Sequence, residues 1–186
     1  MSDPRRDLLR GQYDLTWALF EYHLDLLEPE DHLWEPAPLC WTVHREADGR
    51  WLPDWAETEP DPIPVPTIAW FTWHIGWWWS VTLDHVHDRP VRERTTVVWP
   101  GPENAVPWMR ALGAEWSATL DGIDLDAPAT FPWPEGRTHA DTAAWVNAEL
   151  MKNAAEIGQL RLLRAVVRDR PGSRATAAGH HESGDA

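Results

Sequence analysis

Four segments whose apolar residues recur at helical spacing, each bounded by proline, glycine or capping residues, restrict this chain more than any other feature. The first opens on Asp3-Pro4, an N-cap with proline at the first helical position, and runs to about Leu27. Leu9, Tyr13, Phe20, Leu24 and Leu27 mark its apolar face, which Leu8, Leu15, Leu19 and Leu26 widen. The second runs from about Thr67 to His87 and stops before Arg89-Pro90. The third begins near Asn104, repeats Trp108, Leu112, Trp116 and Leu120, and ends at Asp121-Gly122. The last starts near Thr138 or Asp141 and reaches about Arg168, ahead of Pro171-Gly172. Together they predict an all-α four-helix bundle forming one domain over residues 1–170. Residues 171–186 lack large apolar side chains and are expected to be a disordered tail.

The connection between the first two helices is the main departure from a plain up-and-down bundle. It is rich in proline, and Trp41-Thr-Val-His-Arg45 and Arg50-Trp-Leu52 flank Asp48-Gly49, a favoured hairpin turn pair. A small hairpin or an ordered loop is expected there. Asp61-Pro-Ile-Pro-Val-Pro66 cannot be helix or central strand and should run extended.

Charge and composition exclude several functions. The formal net charge is -14 at pH 7, a field that repels DNA, RNA and anionic lipid. No apolar run reaches the roughly 18 residues of a membrane span, and the N-terminus carries no apolar core of a signal peptide. The single cysteine, Cys40, permits no intrachain disulfide, so a cytoplasmic setting is expected. Gly-rich phosphate loops, paired CxxC, HExxH and the nucleophile elbow are absent from the sequence. Cys40 has no identifiable base near it in sequence, which favours a structural role.

Chemistry concentrates on the second and last helices. The chain has 15 tryptophans, and five of them surround His74 between Trp70 and Trp79. At about 100° per residue, Trp70, Phe71, Trp77, Trp78 and Val81 fall within roughly 60° of His74. Thr72, Gly76, Ser80 and His87 lie on the opposite, polar side, and His85 lies on the His74 side further on. His74 is therefore either a core histidine bonded to a carbonyl or carboxylate, or one wall of a site. On the last helix Trp145, Glu149, Lys152, Asn153, Glu156, Leu160, Leu163 and Val167 share one stripe, apolar at its ends and polar in its middle. Glu149–Lys152 and Lys152–Glu156 are spaced as ordinary surface ion pairs. Polar groups on a bundle seam are costly to bury unless they pair or bind something. Lys152 is the only lysine among the 16 basic residues.

Glu149-Leu-Met-Lys-Asn-Ala-Ala-Glu-Ile-Gly-Gln-Leu-Arg-Leu-Leu-Arg164 resembles the last-helix motif of the DinB-like (DinB/YfiT) superfamily. Thr67-Ile-Ala-Trp-Phe-Thr-Trp-His-Ile-Gly76 resembles its second-helix motif, and Leu33-Trp-Glu-Pro36 and the excursion from Trp41 to Trp55 look like one branch of it. The resemblance covers about residues 5 to 168. It implies a four-helix bundle holding a divalent metal, zinc or nickel, through a second-helix histidine matching His74 and last-helix positions matching Asn153 and Glu156. It also implies S-transfer or isomerisation with a low-molecular-weight thiol such as mycothiol or bacillithiol, the metal stabilising the thiolate.

The sequence departs from that pattern where Lys152 and Asn153 replace histidines and Glu156 stands at a third. A His/Asn/Glu set is a poor zinc site, because an amide oxygen is a weak neutral ligand. Two arrangements follow. In one, His74, Glu156 and Glu149 or His23 hold a metal while Lys152 points away. In the other, Lys152 replaces the metal as the local positive charge, giving a His74–Glu156–Lys152 cluster and no metal. For function, the first expectation is a pocket for a small molecule or thiol walled by Trp70, Trp77, Trp78 and Trp145, with His74 and Lys152 as candidate catalytic groups. The second is a non-catalytic binding or interaction protein, a homodimer whose surplus tryptophans serve an exposed interface.

Overall fold

The computed structural model describes residues 3–169 of the chain; the expected tail lies outside them. Four helices carry the fold: α1 (Pro4–Leu24), α2 (Ile68–Val86), α3 (Pro102–Gly122) and α4 (His139–Arg168). Their starts follow local chemistry. The Asp3 carboxylate accepts from the Arg5 N–H at 2.9 Å, and the Thr67 hydroxyl accepts from the Trp70 N–H at 3.2 Å. Asp141 accepts from the Thr138 N–H at 2.9 Å in a capping box that opens α4. The third helix begins two residues before the expected Asn104, at Pro102, behind Gly101 at φ +89°. The first ends at Leu24 rather than Leu27: Glu28, ahead of Pro29, is extended, and the last turn opens into a bend.

Six short strands lie between the helices. β2 (Val43–Arg45) and β3 (Trp51–Pro53) form the expected hairpin, turned at Gly49 with φ +88°. The extended Pro-rich run contributes β4 (Val65–Pro66), which pairs in parallel with β1 (Cys40–Trp41). β5 (Pro128–Ala129) and β6 (Arg137–Thr138) close the loop before α4.

Helix directions are read from cross-contacts. Asn147 donates to the Leu9 carbonyl, whereas Gly158 packs on His23, so α1 and α4 run parallel. Gly76 packs on Trp108 and His87 bonds Thr119, so α2 and α3 also run parallel. Tyr13 donates to the Gly113 carbonyl while Arg6 reaches Ile123, which makes the two pairs antiparallel to each other. The order is up-down-down-up. Between α2 and α3 the chain must return along the bundle, and this crossover is pinned to α2 at both levels. The Arg92 guanidinium grips the buried Asp84 carboxylate at 2.6 and 2.7 Å near its start. Trp73 donates to the Val97 carbonyl and Trp99 to the Thr72 hydroxyl near its end.

The core runs through all four helices, with Trp73, Trp79, Trp99, Trp116 and Phe20 fully enclosed. Two expectations about faces need correction. Thr72, Gly76 and Ser80 do not face water: α2 is buried all round, since the crossover and α3 cover its polar side. Conversely, Leu8, Leu15, Leu19 and Leu26, and Leu163 and Val167 on α4, are exposed rather than part of the core. Every tryptophan is buried or half-buried. Trp41 stacks on Trp70 at 5.2 Å, Trp51 meets Trp99 at 5.5 Å and Trp55 meets Trp77 at 5.4 Å. The proline-rich excursion is thereby anchored ring by ring over α2.

Candidate functional site

His74 is presented by the middle of α2. One turn earlier Trp70 stacks on its ring at 5.0 Å with planes 9° apart, and Trp77 leans on it at 5.7 Å. Trp70 is itself fixed from outside, donating its indole N–H to the Asp54 carbonyl at 2.9 Å. The Asp54 carboxylate in turn accepts from the Thr42 N–H and bonds the His44 ring. Asp54 thus positions the wall behind His74, a role nothing in the sequence signals except its place beside Trp55.

The carboxylate facing His74 is Glu149, 3.9 Å from Nε2 to Oε1, an electrostatic contact longer than a hydrogen bond. Lys152, a turn along α4 and half-exposed, pairs with the same Oε1. The His74 ring and, after it, Lys152 hold the Glu149 carboxyl below its usual range, against the upward push of burial. His74 Nδ1 is buried without a hydrogen-bond partner.

Asn153 and Glu156 form a second group. Asn153 is fully buried; its amide oxygen accepts from the Trp78 indole N–H at 3.3 Å and its amide nitrogen donates to Glu156 at 2.8 Å. Trp145 closes this side, edge-on to Trp78 at 5.3 Å and to Phe131 at 5.6 Å. Beside Glu156 an apolar hollow of about 370 Å³ opens between the N-terminal end of α2 and α4, lined by Val65, Phe71, Ala155, Glu156 and Leu160.

The expected residues therefore gather into two clusters, His74–Glu149–Lys152 and Trp78–Asn153–Glu156. His74 and Lys152 share Glu149, the carboxylate two turns before the expected Glu156. His23 lies on the α1 side of α4, its ring against Gly158, and burial, with Arg161 adding, pushes its pKa down. His85 bonds Thr130 at 2.9 Å and stacks on Phe131. Cys40 donates to the Ala37 carbonyl.

The three residues implied for a metal do not fit one as they stand. The Asn153 oxygen and nitrogen are both engaged, Glu156 accepts from Asn153, and an ammonium sits on the carboxylate nearest His74. Among the described residues no group of three or more His, Cys, Asp or Glu is arranged to hold a metal ion. None of the helices among the described residues is long and apolar enough to cross a membrane.

No curated protein and no solved structure matches the chain. A model of the DinB superfamily matches residues 12–157, from within α1 past the polar stripe of α4. The chain belongs to the DinB superfamily.

Proposed function

We propose that this chain is a small-molecule-binding member of its superfamily, working without the family's metal-bound thiolate. The observation that carries this reading is the Lys152–Glu149–His74 series, which puts a paired carboxylate and an ammonium where a metal would need free ligands. His74 offers a polar edge in an aromatic wall, and the hollow beside Glu156 has a volume in the ordinary range of ligand pockets. Glu149 and Glu156 stand seven residues apart on one helix, about 10 Å by helical rise. The ligand class that suits this layout is an extended organic molecule, with an apolar body against Phe71 and Leu160 and a hydrogen-bonding head at His74 and Glu149. Trp70, Trp77, Trp78 and Trp145 serve as wall.

Thiol-dependent transfer or isomerisation, with His74 as proton carrier and Lys152 as catalytic cation, ranks second. Its thiolate needs a free cation, and Lys152 is committed to Glu149. Metal analysis separates the two readings. The chain carrying His180→Ala and His181→Ala, which removes the tail pair, is expected to purify with far less than one metal per chain. Stoichiometric zinc or nickel that disappears in His74→Ala would overturn the metal-free reading and restore the transferase. Binding is tested by thermal shift against a fragment library: hits that stabilise the wild type should lose that effect in Glu149→Gln and Phe71→Ala.

A further inference from the structure

A second hollow, of about 280 Å³, lies where the C-terminal end of α1 faces the first turns of α3, and it shares no residue with the site around His74. Leu24, Leu27, Pro29 and Val106 make its sides. At its floor is His32, 1% exposed. Neither ring nitrogen has a hydrogen-bond partner among the described residues; Nδ1 is covered by protein, which leaves Nε2 as the edge toward the hollow. Burial pushes the pKa of this ring down to about 4, so it is neutral near pH 7 and carries one donor and one acceptor, both unmet. A buried polar group in that condition is destabilising unless something binds it. The rim is acidic, with Asp25 and Glu103 both exposed. Arg110, the cation there, is already shared between Glu21 and Asp25 at 2.6 and 2.5 Å, whereas Glu103 forms no ion pair among the described residues. Glu103 also supplies a second acceptor. Pro107, inside α3, has no N–H to return to the Glu103 carbonyl, and both residues line the hollow. Helix dipoles do not reverse this sign, because α1 ends and α3 begins here and their opposite poles offset.

We propose that this hollow binds a short linear amino alcohol, its ammonium on the Glu103 carboxylate and carbonyl, its carbon chain along Leu27 and Val106, and its hydroxyl on His32. The charge of the rim selects a cation. The floor selects a hydroxyl. With neither nitrogen fixed by a protein partner, His32 presents either tautomer, and a hydroxyl accepts from one and donates to the other. The volume lies just below the range of drug-sized ligands, which restricts the occupant to a small molecule. A metal ion fits less well, since the sides are apolar and no group of three or more His, Cys, Asp or Glu among the described residues is arranged to hold one.

Saturation-transfer NMR on the full-length chain, titrated with 4-aminobutan-1-ol, tests the proposal. The wild type should bind it with a dissociation constant on the order of 1 mM or lower. Pentylamine, which has a methyl in place of the hydroxyl, should bind at least about fivefold more weakly, and the anionic 4-hydroxybutanoate should not bind measurably. Glu103→Gln alters an exposed position, so its circular dichroism should match the wild type while its affinity for the amino alcohol falls at least about tenfold. His32→Phe should abolish the preference for 4-aminobutan-1-ol over pentylamine, and the Glu103→Gln comparison stands whether or not His32→Phe folds. Phe71→Ala, in the hollow beside Glu156, should leave the affinity unchanged, which separates the two sites. A wild type that shows no saturation transfer at about 20 mM overturns the proposal. So does 4-hydroxybutanoate binding as well as the amino alcohol, a preference that survives in His32→Phe, or an affinity that responds to Phe71→Ala and not to Glu103→Gln.

Discussion

Glu149 takes its two neighbours from different places, His74 from α2 and Lys152 from its own helix. Both keep it ionised below the ordinary carboxylate range of 4.5. A group whose folded pKa is depressed adds stability above its unfolded value and loses it as pH falls through the folded one. Glu149→Gln should therefore flatten the decline of the urea midpoint below about pH 4.5 while leaving the midpoint near neutrality less affected. His32 acts in a different window. Enclosed beside Trp99, it is pushed by burial from 6.5 to about 4, with Asp31 opposing. It stays neutral in the fold while the unfolded chain takes up a proton, so stability falls as pH drops from about 6.5 toward 4, by roughly 3 kcal/mol in all. His32→Phe should remove that loss, measured as the urea midpoint against pH; an unchanged slope would refute the assignment. At this scale helical periodicity was enough to place His74 inward and to find the polar stripe opposite it. Which carboxylate of the stripe meets His74 depends on the axial offset between α2 and α4. Packing fixes that offset, and residue spacing on either helix carries no trace of it.

Where helices meet, glycine receives a ring from the neighbour in three places. Gly76 of α2 seats Trp108 of α3, Gly113 of α3 seats Trp17 of α1, and Gly158 of α4 seats His23 of α1. A Cβ at Gly76 would come within 1.8 Å of the Trp108 ring. Alanine is the better helix former by about 1 kcal/mol, yet overpacking of this kind costs roughly 1–3 kcal/mol. Gly76→Ala should therefore destabilise despite its propensity, and Gly76→Ala/Trp108→Leu should recover part of the loss; chemical denaturation of the three proteins decides it. The starts of α1, α2 and α4 were legible because Asp3 and Thr67 cap through their own side chains and Asp141 accepts from the Thr138 N–H. Burial around each helix was less so. Thr72 reads as a surface residue, but its hydroxyl bonds a carbonyl of its own helix at 3.0 Å, which lets it sit in the core. Leu8 and Leu15 read as core for the complementary reason: periodicity reports an apolar sector, and only the neighbours decide how wide a sector is covered.

Taken whole, the molecule uses Trp41, Trp55 and Trp99 to cover α2 with segments that have little secondary structure of their own. Removing one anchor should loosen that cover more than the bundle. Trp41→Ala is expected to raise protease sensitivity within residues 34–66 while the helical circular dichroism persists, a pattern limited proteolysis with mass mapping would show. The parallel pairing of α1 with α4 has a consequence in time rather than space. The most extensive helix–helix contact joins the first helix to the last, so on the ribosome α1 emerges long before its main partner. Contacts so distant along the chain close late and slowly. Until the 30 residues of α4 have been made, Leu9 and His23 lack the neighbours that Asn147 and Gly158 supply, and the nascent molecule must keep its oldest helix waiting for its youngest.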